Sequence, residues 1–519
     1  MELRTDREHA VSSLRVLDTE ITQAAEHDFI LPDYCPDIFR VLKCSIVPGV
    51  TSIGINGSRL TFDLCVTIRV LYRSPEGTGV CCVEHTQEYT RTADLPPDAV
   101  SPSADITPAV SQVNCRVVDK RRLEVRGNIS CHVTADAENS VQLLKNACGC
   151  GIQLKKAQTV FPSERLVSTK RVTVIEELEL AQGKPPFGSV IQSRVDIVKG
   201  EQRIIPGKLV TKGEARVSML YLSKDSSSGI PETMRFSIPF SQVMDISGLE
   251  DDFDCDVKIS AAKCVITPRA DSALLECELV MLVRVTAFRY SNAELVTDAY
   301  STRYETTLER LKAVRLSPPD RVNVPCIVVS AVSCPEGELV QVYDMWCEQL
   351  SAFIKPDDDR NGAVLYGKLS FCMLGKLSDG TVVYSEKESA FETQLPDGHE
   401  NFCKGLPDTA EISVRMNSCS YTLNDGTEDG GSISAKAELE LSAVLFADDT
   451  EGLVTNITAD TEHPKCTDGR CAVRICYTDS GESLWETAKR YSTEAEALAE
   501  ENPPCGDSDR QVLIIPIKN

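Results

Sequence analysis

Residues Gly213–Lys224 read GEARVSMLYLSK. Ala215, Val217, Met219 and Tyr221 alternate with Glu214, Arg216 and Ser218, so one face of the segment is apolar and the other polar. A period of two is the signature of a half-buried β-strand. The stretch has a counterpart 149 residues earlier, VTIRVLYR from Val66. The same shift places Pro36 on Pro185, Val41 on Val190, Leu42 on Ile191, Ile46 on Val195, Leu60 on Leu209, Ile68 on Val217 and Cys115 on Cys264. Val70-Leu71-Tyr72 falls on Met219-Leu220-Tyr221. A register held over that distance marks an internal duplication. A more divergent third copy places Phe371, Met373 and Leu374 on Val217, Met219 and Leu220, and Cys419 on Cys264, with an offset that drifts from 154 to 155. Each strand-like run leads into a turn: RSPEG in the first copy, SKDSSSG in the second and LSDG in the third. Long apolar strands such as Cys277–Phe288 suit a half-buried sheet. The fold expected is therefore mainly β: three tandem antiparallel β-rich repeats at 1–152, 153–305 and 306–455. At about 150 residues each copy is large enough to bury a core of its own.

Outside the repeats the pattern changes. A linker, 456–470, contains Pro464 and Gly469 among charged residues, and a small unit, 471–519, follows it. In that unit a short strand runs into the turn Asp479-Ser480-Gly481. A helix carrying Leu484, Trp485 and Ala488 ends on Lys489-Arg490, and Ser492 or Thr493 can cap a second helix with Ala497 and Leu498. Asn502-Pro503-Pro504 stops that helix, and Val512–Ile515 forms a second strand. Leu484, Ala488, Leu498, Val512 and Ile514 are expected to pack around Trp485.

This strand-helix-helix-strand unit resembles a LysM domain through Gly481, Leu484, Trp485, Ala488, Tyr491, Leu498, Asn502 and the terminal LIIP. The repeats resemble the SPOCS-domain family through ILPDYCPDIFRVL from Ile30, GKLVTKGEARVSMLYLS from Gly207 and FSIPFSQVMDISG from Phe236. SPOCS repeats followed by a LysM domain resemble the SipL-type spore morphogenetic proteins of endospore-forming bacteria. The resemblance implies a non-enzymatic scaffold in the mother-cell cytoplasm at the forespore surface, which helps assemble or attach the spore coat. It implies a LysM unit docking on the ATPase of the coat basement layer or on another coat protein. It also implies where the groove lies: between the loop holding Asp479, Ser480, Gly481, Glu482 and Ser483 and the loop holding Asn502 and Pro503. LysM domains also bind N-acetylglucosamine polymers, so a peptidoglycan-binding protein of cortex or wall is the alternative. Acidic Asp479 and Glu482 on the rim favour a basic protein partner.

Bulk properties narrow the choices. The 519 residues carry 54 Lys and Arg against 78 Asp and Glu, a formal charge of -24. That balance repels nucleic acid and anionic membrane surfaces. The N-terminus MELRTDREHAVSSLRVLDTE lacks the apolar core of a secretory signal, and no segment has the length and apolarity of a membrane span. The 22 cysteines are therefore read as free thiols of a reduced cytosol, with Cys115, Cys264 and Cys419 as small buried residues on one recurring core strand.

Chemistry is sparse. Walker A, HExxH and GxSxG motifs are absent, and the six histidines, at 9, 27, 85, 132, 399 and 463, recur at no shared position in the repeats. Asp251-Asp252 and Asp357-Asp358-Asp359 read as solvated turn charges. His463, Cys466, Cys471 and Cys476 run H-x2-C-x4-C-x4-C, which is looser than paired zinc knuckles. Cys148-Gly149-Cys150 lacks the spacing of a redox CxxC. The expectation is a protein that is not an enzyme and has no cofactor, no metal and no catalytic residue.

Overall fold

A computed structural model describes residues 3–75, 79–224, 230–269, 274–311, 317–334, 336–357, 362–399, 410–423, 432–446, 453–465, 473–479, 481–502 and 512–516. The described residues are mainly strand, with two short helices near the C-terminus. The first unit contains β1 (Arg4–Ile30), β2 (Arg40–Asn56), β3 (Arg59–Arg73), β4 (Val80–Asp94), β5 (Val100–Asp119) and β6 (Arg122–Cys148). They form two three-stranded antiparallel sheets, β2-β3-β4 and β1-β6-β5. The next six strands are β7 (Ile152–Glu179), β8 (Phe187–Ile205), β9 (Lys208–Ser223), β10 (Pro231–Asp245), β11 (Phe253–Pro268) and β12 (Leu274–Ser301). Their sheets, β8-β9-β10 and β7-β12-β11, have the same plan. A short strand, β13 (Tyr304–Arg310), precedes β14 (Asp320–Ser333), β15 (Leu339–Asp357), β16 (Gly362–Leu377), β17 (Val382–Gln394), β18 (Ala410–Leu423) and β19 (Ser432–Leu445). The sheets β15-β16-β17 and β14-β19-β18 give the plan a third time.

Within each unit the two sheets face one another across an apolar core, as alternation requires. Phe62 and Ile68 of β3 share a cluster with Val125 and Ile129 of β6. Val217, Met219 and Tyr221 of β9 pack with Leu279 and Met281 of β12, and Phe371 and Met373 of β16 with Leu439 and Leu441 of β19. One hydrogen bond recurs at the 149-residue interval: Tyr72 OH donates to the Pro36 carbonyl at 3.2 Å, and Tyr221 OH to that of Pro185 at 2.9 Å. Cys115, Cys264 and Cys419 lie on β5, β11 and β18, the edge strands in corresponding places, but they are half-buried there rather than buried.

The units meet around a common centre. Leu71, Leu220 and Leu374 occupy matching positions on β3, β9 and β16 and turn away from their own sandwiches. They pack with Ile191 and the fully buried Trp346. This is why the alternation in GEARVSMLYLSK ends with three consecutive buried residues, Met219, Leu220 and Tyr221: at that end the strand is covered on both faces. β2 also crosses β11 so closely that a Cβ at Gly49 would lie 1.9 Å from the Ala262 carbonyl oxygen, a contact only glycine permits. A polar cavity of about 110 Å³ lies between the units and is crossed by ion pairs. Arg284 and Lys258 of the second unit pair with Asp105 of the first; Lys258 also reaches Glu411 of the third at 2.8 Å; Arg321 of the third reaches Asp254 at 2.8 Å.

Away from the sandwiches, the far ends of β1 and β6 and of β7 and β12 continue as two ribbons. A third ribbon joins β13 to β20 (Val454–Pro464). Leu143, Phe161, Leu295 and Leu453 pack between the ribbons, as do Leu144, Val296, Val454 and Ile457. The segment 456–470, expected to be a linker, thus supplies most of β20, with Ile457 buried. The two buried residues of β20, Val454 and Ile457, stand three apart, so no two-residue alternation marked the strand.

Candidate docking groove of the C-terminal unit

The last unit runs β21 (Val473–Tyr477), α1 (Leu484–Tyr491), α2 (Ala495–Glu501) and β22 (Val512–Pro516), with β21 and β22 antiparallel. Ser483 caps α1 in a reciprocal box. Its hydroxyl accepts from Glu486 N at 3.3 Å, and its own N–H donates to the Glu486 carboxylate at 2.8 Å. The Ser483 N–H, and the Ser483 hydroxyl 2.9 Å from the same oxygen, hold the Glu486 carboxyl below its ordinary value. Ser492 adopts a left-handed conformation at the end of α1, and Thr493 N–H closes the helix on the Ala488 carbonyl. The N-cap of α2 is Glu494, which makes no side-chain capping bond, so neither Ser492 nor Thr493 takes that place.

The core of the unit differs from the one expected. Cys476, Ala488, Leu498, Leu513 and Ile515 are buried, with Trp485, Tyr491 and Ala495 packed against them. Val512 and Ile514 are 57% and 42% exposed and Leu484 is 37% exposed. Apolar residues fill both faces of β22, so the run LIIP could not reveal which parity points inward.

The groove residues divide into free and committed groups. The Asp479 side chain is 86% exposed and forms a loose ion pair with Arg490 at 3.4 Å. Gly481 has φ +78°, which favours glycine, and its Cα faces open space. Glu482 is different: only 11% of its side chain is exposed. Its carboxylate accepts from Asp479 N–H at 3.0 Å and pairs with Arg490 at 3.0 Å. It therefore fastens the loop rather than presenting a free charge. Asn502 is also committed. Its amide donates to the carbonyls of Leu498 and Ile514 at 2.8 and 2.7 Å and accepts from Ile514 N–H at 2.7 Å. It sews the end of α2 to β22. Ser483 is the cap. Ser480 and Pro503 lie outside the described residues.

Opposite this loop, the unit is anchored to the body. Trp485 Nε1 donates to Asp298 at 2.8 Å, and its ring meets the edge of Tyr300 with centroids 4.9 Å apart. Lys489 Nζ reaches both Asp298 oxygens at 2.8 Å, and Arg310 adds a contact at 3.1 Å. Burial would raise the Asp298 carboxyl, but the Lys489 and Trp485 hydrogen bonds outweigh it and hold the group below the ordinary carboxylate value. Tyr300 joins the small core and donates its hydroxyl to the Thr493 carbonyl at 2.7 Å, while burial pushes its own ionisation upward. Lys465 Nζ binds the Ser492 hydroxyl at 3.0 Å. Asp298 and Tyr300 carry no signal in the sequence, because they stand almost 200 residues from the helix they hold.

Other constellations stay dispersed. His463 is 81% exposed and bonds Asp460, Cys476 is buried in the small core, and Cys466 and Cys471 lie outside the described residues. Asp252 pairs with Arg289 at 2.9 Å, as a structural charge does. Among the described residues no group of three or more His, Cys, Asp or Glu side chains is arranged to hold a metal ion. No helix among them is long and apolar enough to cross a membrane.

Residues 187–267 match the family model described as SipL, SPOCS domain. That span covers β8, β9, β10 and nearly all of β11. No curated protein matches the chain, and no solved structure does. The matched span thus holds the whole sheet β8-β9-β10 and the strand bearing Cys264, so it is the second unit that is similar to the SPOCS domain.

Proposed function

We propose that this protein is a non-enzymatic, sporulation-related scaffold that helps assemble or attach the spore coat at the forespore surface from the mother-cell side. The SPOCS match at residues 187–267 is the observation that carries the reading. On this reading the first and second units are a duplication and the third a more divergent copy, and the recurrence of one sheet plan supports that. The C-terminal unit is read as a LysM domain that docks on a coat basement-layer protein, the ATPase or another. Its strand-helix-helix-strand order supports this. With Trp485 fixed to the body, Asp479 stays exposed and Gly481 borders open space, which supports a groove held by the scaffold rather than hung on a free tether.

Asp479 is the residue to test, since Glu482 is structural. The Asp479→Lys full-length protein should keep its melting temperature within a degree or two, because an exposed ion pair contributes little. It should recover less coat basement-layer protein in co-precipitation from sporulating cells, and a fluorescent fusion should disperse in the mother cell. Tight sedimentation of the parent with peptidoglycan, together with unchanged coat-protein recovery by the variant, would favour the glycan-binding alternative.

A further inference from the structure

Three pairs of thiols approach one another, one pair in each unit. Cys264 Sγ and Cys277 Sγ are 3.8 Å apart, as are Cys347 Sγ and Cys419 Sγ. Cys44 and Cys115 pack against the same apolar core from β2 and β5, two strands that lie on each other. All six are free thiols. The pairs are not equivalent in the fold. Cys44 lies on β2 and Cys115 on β5, and Cys347 lies on β15 and Cys419 on β18. Each of these pairs therefore spans the two sheets of its sandwich, where β2 packs on β5 and β15 on β18. The second unit has Ser193 at the position 149 residues after Cys44. Its Cys264 instead meets Cys277 within one sheet. There Cys264 is opposite Leu279 and Cys277 opposite Ile266, so the two cysteines are diagonal neighbours.

That difference decides which pairs can bond. A disulfide needs Cα atoms about 4.4–6.8 Å apart. Diagonal neighbours on adjacent antiparallel strands sit at about 7–8 Å, and the ladder holds them there. Cys347 and Cys419 already have their sulfurs 3.8 Å apart across the sandwich, and no hydrogen-bond ladder joins β15 to β18 to fix the separation of those strands. Access differs as well: Cys44, Cys115, Cys347 and Cys419 are each partly exposed, whereas Cys277 is buried.

We propose that Cys44–Cys115 and Cys347–Cys419 are paired modification sites, each forming an inter-sheet disulfide by exchange with a small-molecule disulfide, while Cys264 and Cys277 stay reduced. The attacking groups are Cys115 and Cys419, whose thiols are held below the ordinary value by a hydrogen bond from their partners. The thiolate attacks one sulfur of oxidised glutathione, a protein–glutathione mixed disulfide forms and one glutathione thiolate leaves. The partner cysteine then loses its proton and displaces the second glutathione. Two protein thiols are oxidised, one glutathione disulfide is reduced to two thiols, and the two protons remain with the released glutathione. Each bond closes a loop of about 70 residues, so the oxidised protein gains stability mainly through its unfolded state.

The test is to incubate the native full-length protein with oxidised glutathione, trap remaining thiols by alkylation and map the peptides by mass spectrometry. The expected map holds Cys44–Cys115 and Cys347–Cys419 and shows Cys264 and Cys277 alkylated. The melting temperature should rise by several degrees and return on reduction. Cys44→Ser should delete the first bond, leave the second and lose about half of the rise. A map without these two bonds, one led by Cys264–Cys277 or by intermolecular pairs, or correct bonds with no change in melting temperature, overturns the proposal or its stabilising role.

Discussion

Asp298 concentrates the attachment of the C-terminal unit in one carboxylate, which accepts from an indole, an ammonium and a guanidinium. Its folded value is depressed, so its contribution is complete above the unfolded carboxylate value of about 3.9 and is lost as pH falls through the folded value. The opening free energy of α1 from hydrogen exchange in the full-length protein, corrected for the intrinsic pH dependence of amide exchange, should therefore be flat from neutral pH to about 5 and fall in stronger acid. Asp298→Asn should raise exchange of α1 at neutral pH, by about 2 kcal/mol in opening free energy, and remove the acid dependence. Trp485→Phe should show a smaller effect, since it keeps the ring against Tyr300 and loses only the N–H donor. Trp485 was legible as a core anchor from its spacing in the helix. Its partners were not, because hydrogen bonds across such separations leave no periodicity to read.

At the scale of elements, strands from all three units meet around Lys43 of β2, whose side chain is 10% exposed. Its ammonium binds Glu348 and Tyr384 at 2.6 Å, and Trp346, seated between Lys43 and Arg194 of β8, donates to Glu348 at 2.7 Å. Arg194 completes the group through Asp344 at 2.8 Å. Burial alone would lower the Lys43 ammonium, but Cys372, Glu348 and Glu386 hold it above its ordinary value, so the pair persists up to alkaline pH. Lys43→Met leaves Glu348 without its closest cation and should cost about 3–5 kcal/mol in denaturant melts of the full-length protein. Adding Glu348→Gln should recover part of that loss; full additivity of the two changes would show that the pair is not coupled. Alternation identified these strands from the sequence, but not which charged residue on one unit answers which on another.

For the whole molecule, the leucines at matching positions make the three units mutually dependent. A protein ending at residue 305 loses Trp346 and Leu374 from the centre and exposes Leu71, Leu220 and Ile191. It also loses β13 and β20 from the ribbon core. It should self-associate in size-exclusion chromatography and bind hydrophobic dye, whereas a protein ending at residue 465 should stay monodisperse with its strand-rich circular dichroism intact, since it loses only the unit anchored at Asp298 and Tyr300. Equal behaviour of the two truncations would mean that each sandwich is self-sufficient. By itself the sequence determined the strand class and the order of elements in the last 40 or so residues. These are written locally, in two-residue and helical periods and in turn and cap residues, and a register repeated at 149 residues survives in side-chain type. Only the tertiary structure decided that the units gather around a centre instead of forming an extended platform, that the supposed linker completes a ribbon, that Glu482 and Asn502 are occupied within their own unit, and which cysteines face each other. Each of these depends on pairs of surfaces far apart in the chain, and an apolar or charged side chain reads the same in sequence whether its partner is water, its own sheet or another unit.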